Sequence, residues 1–302
     1  MQRTGTEREI RMIRRPYVLF AAVAAMVVFT GQASGRDEAL LKRGSALMNG
    51  VVACANCHAQ RDAQGNPIAA LGMSGGMRFD DGPFVAYAPN ITPDKETGIG
   101  RWSDKQLAKA IREGIRPDGR VIGPPMPIGL YRGMADADLK AIIAYLRAQP
   151  AVKNQVAASD YKMPLPPNYG PPVGKVIAPP KSDKLAYGAY LAGPLGHCVE
   201  CHTPMVDGRF DFANSIGAGG FVFKGPWGAS VARNLTPHET GLKNWSDAQI
   251  ARAVREGVSR DGSPLKPPMA FGWYGNISDE DMGAILAYLR SLKPLPLGGA
   301  PK

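Results

Sequence analysis

Histidine and cysteine are scarce in this chain, with four of each in 302 residues. Aromatic residues make up only 8%, and no basic stripe interleaved with aromatics stands out, which argues against nucleic acid as a partner. Long apolar runs are also missing, with one exception. Residues Tyr17 to Val28 form an apolar stretch behind Arg14 and Arg15 and ahead of the small residues Ala33, Ser34 and Gly35. A basic flank, a short apolar stretch and a small-residue site read as an export signal. The run also approaches the roughly 17 residues that cross a bilayer. Segment 1–35 is therefore expected either to be cleaved or to stay as an N-terminal membrane anchor. The remainder is then expected in the periplasm, free or anchored to the inner membrane on its periplasmic face. What the chain has in plenty is glycine (36) and proline (27), beside a hydrophobic fraction of 44%. That suits two modest domains of about 100–150 residues, rich in turns and wrapping segments.

Export to an oxidising compartment would normally pair four cysteines into two disulfides. Their spacing points elsewhere. Cys54-Ala55-Asn56-Cys57-His58 and Cys198-Val199-Glu200-Cys201-His202 are both C-x-x-C-H. In that arrangement two thiols add to the vinyl groups of one haem, and the next residue brings an imidazole beneath the iron. A lone C-x-x-C could be a redox pair or half a zinc site. Two copies that each end in histidine and together consume every cysteine predict two covalently bound haem c groups, with His58 and His202 as iron ligands.

The copies lie in an internal duplication. Pro89-Asn90-Ile91-Thr92-Pro93 recurs as Arg233-Asn234-Leu235-Thr236-Pro237, and Trp102-Ser103-Asp104 as Trp245-Ser246-Asp247. Arg112-Glu113-Gly114 recurs as Arg255-Glu256-Gly257, Pro124-Pro125-Met126 as Pro267-Pro268-Met269, and Ala144-Tyr145-Leu146-Arg147 as Ala287-Tyr288-Leu289-Arg290. Each repeat reads as helical. Apolar positions recur at helical spacing through Asp37–Asn49 and Ser182–Leu191. Ser103-x-x-Gln106 and Ser246-x-x-Gln249 are capping boxes. Closing helices over Asp136–Arg147 and Asp279–Arg290 carry the stripes Leu139/Ile142/Ile143/Leu146 and Met282/Ile285/Leu286/Leu289. The expected fold class is all-α: two tandem cytochrome-c-like domains, 36–149 and 183–302, after the leader 1–35. The segment 150–182 between them, with eight prolines from Pro150 to Pro180, is expected to be extended and stiff and to pack along a domain face.

The sixth iron position follows nearly by elimination. With His58 and His202 spent, the first repeat has no other histidine, which leaves methionine, a thioether suited to haem iron. Met48, Met73, Met77, Met134, Met205 and Met282 have no methionine at the matching position of the other repeat. Met126 and Met269 do match, each behind two prolines that restrict the loop before folding. They are the expected distal ligands. His197 and His238 read as packing or structural residues. Asn90/Thr92 and Asn234/Thr236 suit either haem propionates or loop capping.

These motifs, with Gly98-Ile99-Gly100 and Asp94 added, resemble the cytochrome c subunits of bacterial membrane-bound dehydrogenases that oxidise alcohols, sugar acids and aldehydes. The resemblance covers nearly all of the chain after the leader. It implies that Cys54, Cys57, His58 and Met126 hold one haem, and Cys198, Cys201, His202 and Met269 the other. It further implies electron transfer rather than catalysis by the chain alone, from a separate dehydrogenase subunit towards quinone, another cytochrome or a terminal oxidase. Many members carry three haems where two are expected here. The second repeat also departs from the pattern, with Arg233 for proline and His238 for aspartate. The competing expectation is a diheme redox enzyme, thiosulfate-oxidising or peroxidase-like.

Overall fold

Helices begin where the sequence supplies caps and apolar stripes. In the computed structural model, which describes residues 35, 37–225 and 227–299, α1 runs through residues 37–48 into the first C-x-x-C-H. That motif opens the single turn α2 (Ala55–His58). α3 (Asp104–Glu113) starts on the Ser103–Gln106 capping box and ends at Gly114, whose φ of 67° is the left-handed geometry that glycine adopts without penalty. After the short α4 (Ile128–Tyr131) comes α5 (Asp136–Arg147). The second repeat copies this order. α6 (Lys184–Tyr190) continues as a π-helical turn, Leu191–Leu195, and leads to α7 (Cys198–Cys201). α8 (Asp247–Glu256) has the same capping box at Ser246–Gln249, followed by α9 (Phe271–Tyr274) and α10 (Asp279–Ser291). All eight predicted stripe residues of α5 and α10 are buried.

The all-α expectation is wrong. Three small antiparallel sheets interrupt the helices. In the first repeat β1 (Arg78–Asp80) pairs with β2 (Phe84–Tyr87), and β2 with β3 (Asp160–Tyr161) from the proline-rich segment. In the second repeat β4 (Met205–Val206) pairs with β5 (Arg209–Phe210), and β6 (Val222–Gly225) with β7 (Gly228–Val231). The strands are two to four residues long, too short for period-two alternation to show in sequence. β3 pairs with a strand some 75 positions earlier, and local pattern carries no trace of that.

Two matched glycines set the helix crossings. A Cβ on Gly44 would lie 2.2 Å from the Ala141 carbonyl oxygen, and one on Gly188 2.0 Å from that of Ala284. α1 therefore crosses α5, and α6 crosses α10, with backbones in contact. The repeated arginines lock the same elements. Arg147 donates to the carbonyls of Ile99 and Trp102 and to Asp104, while Arg290 donates to Leu242, Trp245 and Asp247. Arg112 and Arg255 tie α3 and α8 to the turns before α5 and α10, at Met134 O and Ile277 O.

The chain divides into two compact units, residues 1–39 and everything from Leu40 onward. The leader lies outside the described residues apart from Gly35. Among the described residues no helix is long and apolar enough to cross a membrane. In the larger unit, buried side chains of both repeats form one contiguous cluster. Tyr190 joins the repeats through polar contacts in that cluster. Its hydroxyl donates to Asp138 at 2.7 Å and accepts from the Ala135 N–H at 3.0 Å, while Arg43 holds the same carboxylate at 2.8 and 3.1 Å. Gly133 abuts Pro194, and the matching pair Asn276 and Gly50 also meet, so the contact follows the internal two-fold relation of the repeats.

Candidate functional site

The single turns α2 and α7 present the C-x-x-C-H motifs to the interior because the preceding residue turns left-handed in both repeats. Ala53 has φ 47° and His197 φ 41°. No disulfide joins any of the four cysteines. Burial pushes Cys54 up to about 12 and Cys57 and Cys198 to about 11, with Cys201 raised further. No group of three or more His, Cys, Asp or Glu suited to a metal ion occurs among the described residues.

The histidines are oriented alike. His58 Nδ1 lies 2.9 Å from the carbonyl of Pro89, and His202 Nδ1 2.6 Å from that of Arg233. A carbonyl can only accept, so each Nδ1 carries the proton and each Nε2 keeps its lone pair for a ligand. Burial lowers both imidazoles below their ordinary range and keeps them neutral. The acceptor is backbone, which is why Arg233 can stand where the first repeat has proline. Sequence reading had flagged that position only as a departure.

Both motifs open into one chamber of about 1530 Å³ that also contains Met126 and Met269. Every residue predicted as a site residue, Cys54, Cys57, His58, Met126, Cys198, Cys201, His202 and Met269, lines it. The bonds Pro124–Pro125 and Pro267–Pro268 are cis in both methionine loops. Of the other methionine candidates, Met134 also lines the chamber, while Met48 and Met73 are buried in the core outside it. Trp102 and Trp245 line the chamber beneath Arg116 and Arg260, whose guanidinium carbons lie 5.3 and 5.8 Å from the ring centroids.

Asn90 and Thr92 are spent within the chain. Asn90 Oδ1 accepts from the Thr92 N–H and hydroxyl, and its amide donates to Val152 O. Asn234 and Thr236 make the same bonds around Leu295 O. These pairs staple the chain that follows each closing helix, so loop capping is their use. His238 shares its Nδ1 with Thr240 on the surface.

Sequence reading missed Tyr131, Tyr274 and Glu200. Tyr131 and Tyr274 are 4% and 7% exposed and line the chamber beside the cysteines of both repeats. Their repeat positions match, but a four-residue helix gives no periodic signal. His197 sits edge-on to Tyr131 of the other repeat, 6.0 Å between centroids, and burial lowers it to about 4. Glu200, inside the second motif, is raised to about 7 by burial.

The cytochrome c family model matches residues 41–150 and again 186–293. The chain is 30% identical to the cytochrome c subunit of the quinone alcohol dehydrogenase of Gluconobacter oxydans, over 97% of this chain and 63% of the relative. It is 31% identical to the gluconate 2-dehydrogenase cytochrome c subunit of Pantoea cypripedii, over 91% and 64% respectively. It is 32% identical to a diheme cytochrome c-type protein of Cereibacter sphaeroides, over 86% of both chains. The chain thus spans less than two thirds of the length of the dehydrogenase subunits named. Matched twice by the family model, with a thiol pair, an oriented imidazole and a proline-flanked methionine in each match, the chain belongs to the cytochrome c family and is homologous to the cytochrome c subunits of bacterial dehydrogenases.

Proposed function

We propose that the chain carries two haem c groups and relays electrons from a dehydrogenase catalytic subunit towards quinone, another cytochrome or a terminal oxidase, on the periplasmic side of the inner membrane. The repeats 36–149 and 183–302 each supply one haem module. Cys54 and Cys57 would hold the first haem by thioether bonds, with His58 and Met126 on the iron; Cys198, Cys201, His202 and Met269 would hold the second. The observation that carries this reading is the double set of these groups in one apolar chamber, each histidine with Nε2 left free by its Nδ1–carbonyl bond. Haem iron supplies a one-electron change of oxidation state. The chain's residues do the rest. Leu107, Ile142 and Leu146 in the first repeat, and Ile250, Ile285 and Leu289 in the second, wall off water. Arg116 and Arg233 bring cationic groups to the chamber, suited to haem carboxylates. A methionine at each sixth position would leave no open coordination site, which favours transfer over substrate chemistry.

The test is a haem count with ligand replacement. The mature protein should bind two haems that survive acid–acetone extraction. Met126→Ala and Met269→Ala should each keep both haems but turn one high-spin or water-ligated and lower its potential. A single haem, haems that extract, or a methionine variant with unchanged low-spin spectrum and potential would overturn the corresponding assignment.

A further inference from the structure

The two methionine loops are held by different parts of the chain. In the first repeat the proline-rich segment holds the loop. The Tyr161 hydroxyl donates to Pro124 O at 2.9 Å, and the Tyr169 hydroxyl to Ile122 O at 2.8 Å. In the second repeat a hold comes from the other site. Asn56, between the two cysteines of the first C-x-x-C-H, donates its side-chain amide to Pro268 O at 3.1 Å. Pro268 directly precedes Met269. Asn56, Pro268 and Met269 all line the shared chamber.

Both ends of the Asn56 side chain fix the direction of this bond. A carbonyl can only accept, so the atom facing Pro268 O is the amide nitrogen. Oδ1 is thereby turned the other way, where Arg61 Nη2 lies 3.5 Å from it. The same Nη2 donates to the Asn56 backbone carbonyl at 2.8 Å. Arg61 in turn lies over Trp273 of α9, its guanidinium carbon 5.6 Å from the ring centroid. Further along, the Asn276 amide donates to Asn49 O at 2.9 Å. The stretch 268–276, with Met269 near its start, is thus fastened to residues 49–61 of the first repeat. The reverse contact has other chemistry. The repeat equivalents of Asn56 and Arg61 are Glu200 and Met205, and that of Trp273 is Leu130. Glutamate has no amide to donate, and methionine with leucine forms no cation–π pair.

We propose that Asn56 is a positioning residue for the second redox site. Through Pro268 O it fixes the backbone that carries Met269, so the hold of that methionine on the second iron is set from within the first attachment motif. This role rests on Met269 being an iron ligand, as proposed above. A neutral thioether stays on iron only while its loop stays closed against it. A hydrogen bond to the carbonyl one residue earlier favours the closed loop by the worth of that bond. The effect therefore crosses between repeats: a change beside the first pair of cysteines should be felt at the second haem.

The probe is imidazole, which competes with methionine for ferric haem iron, titrated into the oxidised haem-loaded protein and followed by absorbance. Met126→Ala and Met269→Ala proteins assign the two sites. Asn56→Ala should raise imidazole affinity at the second site about twofold to tenfold, the scale of one hydrogen bond between neutral groups. It should also lower the potential of the second haem and leave the first site unmoved. Asn56→Asp, of the same shape but without the donor, should do the same. Arg61→Gln, outside the motif, should shift the second site in the same direction, with the haem count confirming that both groups are attached. In Met269→Ala protein, Asn56→Ala should move neither site. A merely structural Asn56 would lower the unfolding midpoint without changing imidazole affinity. No shift at the second site, a shift at the first alone, or equal shifts at both overturns the proposal. If Met269→Ala itself leaves imidazole affinity unchanged at both sites, the ligand assignment falls and this role with it. A Met269→Ala effect without an Asn56 effect refutes the positioning role alone.

Discussion

Replacing Gly188 by alanine adds one methyl group where α6 crosses α10. Helix propensity favours the change by about 1 kcal/mol. Packing opposes it: the new Cβ would stand 2.0 Å from the Ala284 carbonyl oxygen and 2.9 Å from Tyr288 Cβ. The Ala284 oxygen belongs to the backbone of α10 and has no rotamer to escape into. The helices must therefore part by about 1 Å, a gap that forfeits a quarter to a half of the dispersion at each contact. Tyr187, Tyr190 and Leu191, all buried on this face, share the loss. Overpacking of a filled core costs about 1–3 kcal/mol, occasionally more, and a backbone obstacle belongs at the upper end. The expected net loss is about 2 kcal/mol, or a fall in Tm of about 4–8 °C for a chain of this size. Gly283 in α10 has nothing within 4 Å of its Cβ position. Gly283→Ala should therefore stabilise by about 1 kcal/mol, giving an internal control of opposite sign. Urea and thermal unfolding of the haem-loaded protein, followed by far-ultraviolet circular dichroism, measure both. If Gly188→Ala melts at or above the parent temperature, the helices do not touch backbone to backbone and the packing argument is wrong.

Tyr190→Phe should cost about 1–3 kcal/mol in urea unfolding, because it strands the buried Ala135 N–H and removes one donor from Asp138. Arg290→Lys should destabilise by a similar amount, since one ammonium group cannot reach two carbonyls and Asp247 in a planar fork; an unchanged midpoint would show that the clamp contributes nothing. Hydrogen bonding from Arg120, then from its backbone, holds the Asp118 carboxyl down to about 2. Its folded value thus lies below the unfolded one, so its contribution is present above about pH 4 and fades as the pH falls towards 2. The group is mostly exposed, which limits the effect to under about 1 kcal/mol. Asp118→Asn should flatten that part of the stability–pH curve, measured by acid titration of the unfolding midpoint.

Much of the site was legible because its chemistry is local. Thiols two residues apart, with histidine next, are tied by covalent geometry to one ligand, so C-x-x-C-H means the same wherever it lies. The matched methionines were legible for another reason: duplication separates positions held in common from those free to vary, and among the methionines only Met126 and Met269 recur. Capping boxes at Ser103 and Ser246 also act within four residues and were read correctly. The β-strands were not, because each is shorter than the pattern that would reveal it.

By itself the sequence determined the C-x-x-C-H motifs, the duplication and the helices that close each repeat, since all of these are written in neighbouring residues or in repeats of them. Tertiary structure alone decided that both motifs share one chamber, that Pro89 and Arg233 act through their carbonyls, and that the Asn90 and Asn234 side chains staple the chain after each closing helix. It alone showed that Tyr161, from the proline-rich segment, closes the outer edge of β2 and donates to Pro124 O. Those outcomes depend on backbone groups, which carry no side-chain signature, and on contacts between residues tens of positions apart, whose meeting is set by how the whole core packs.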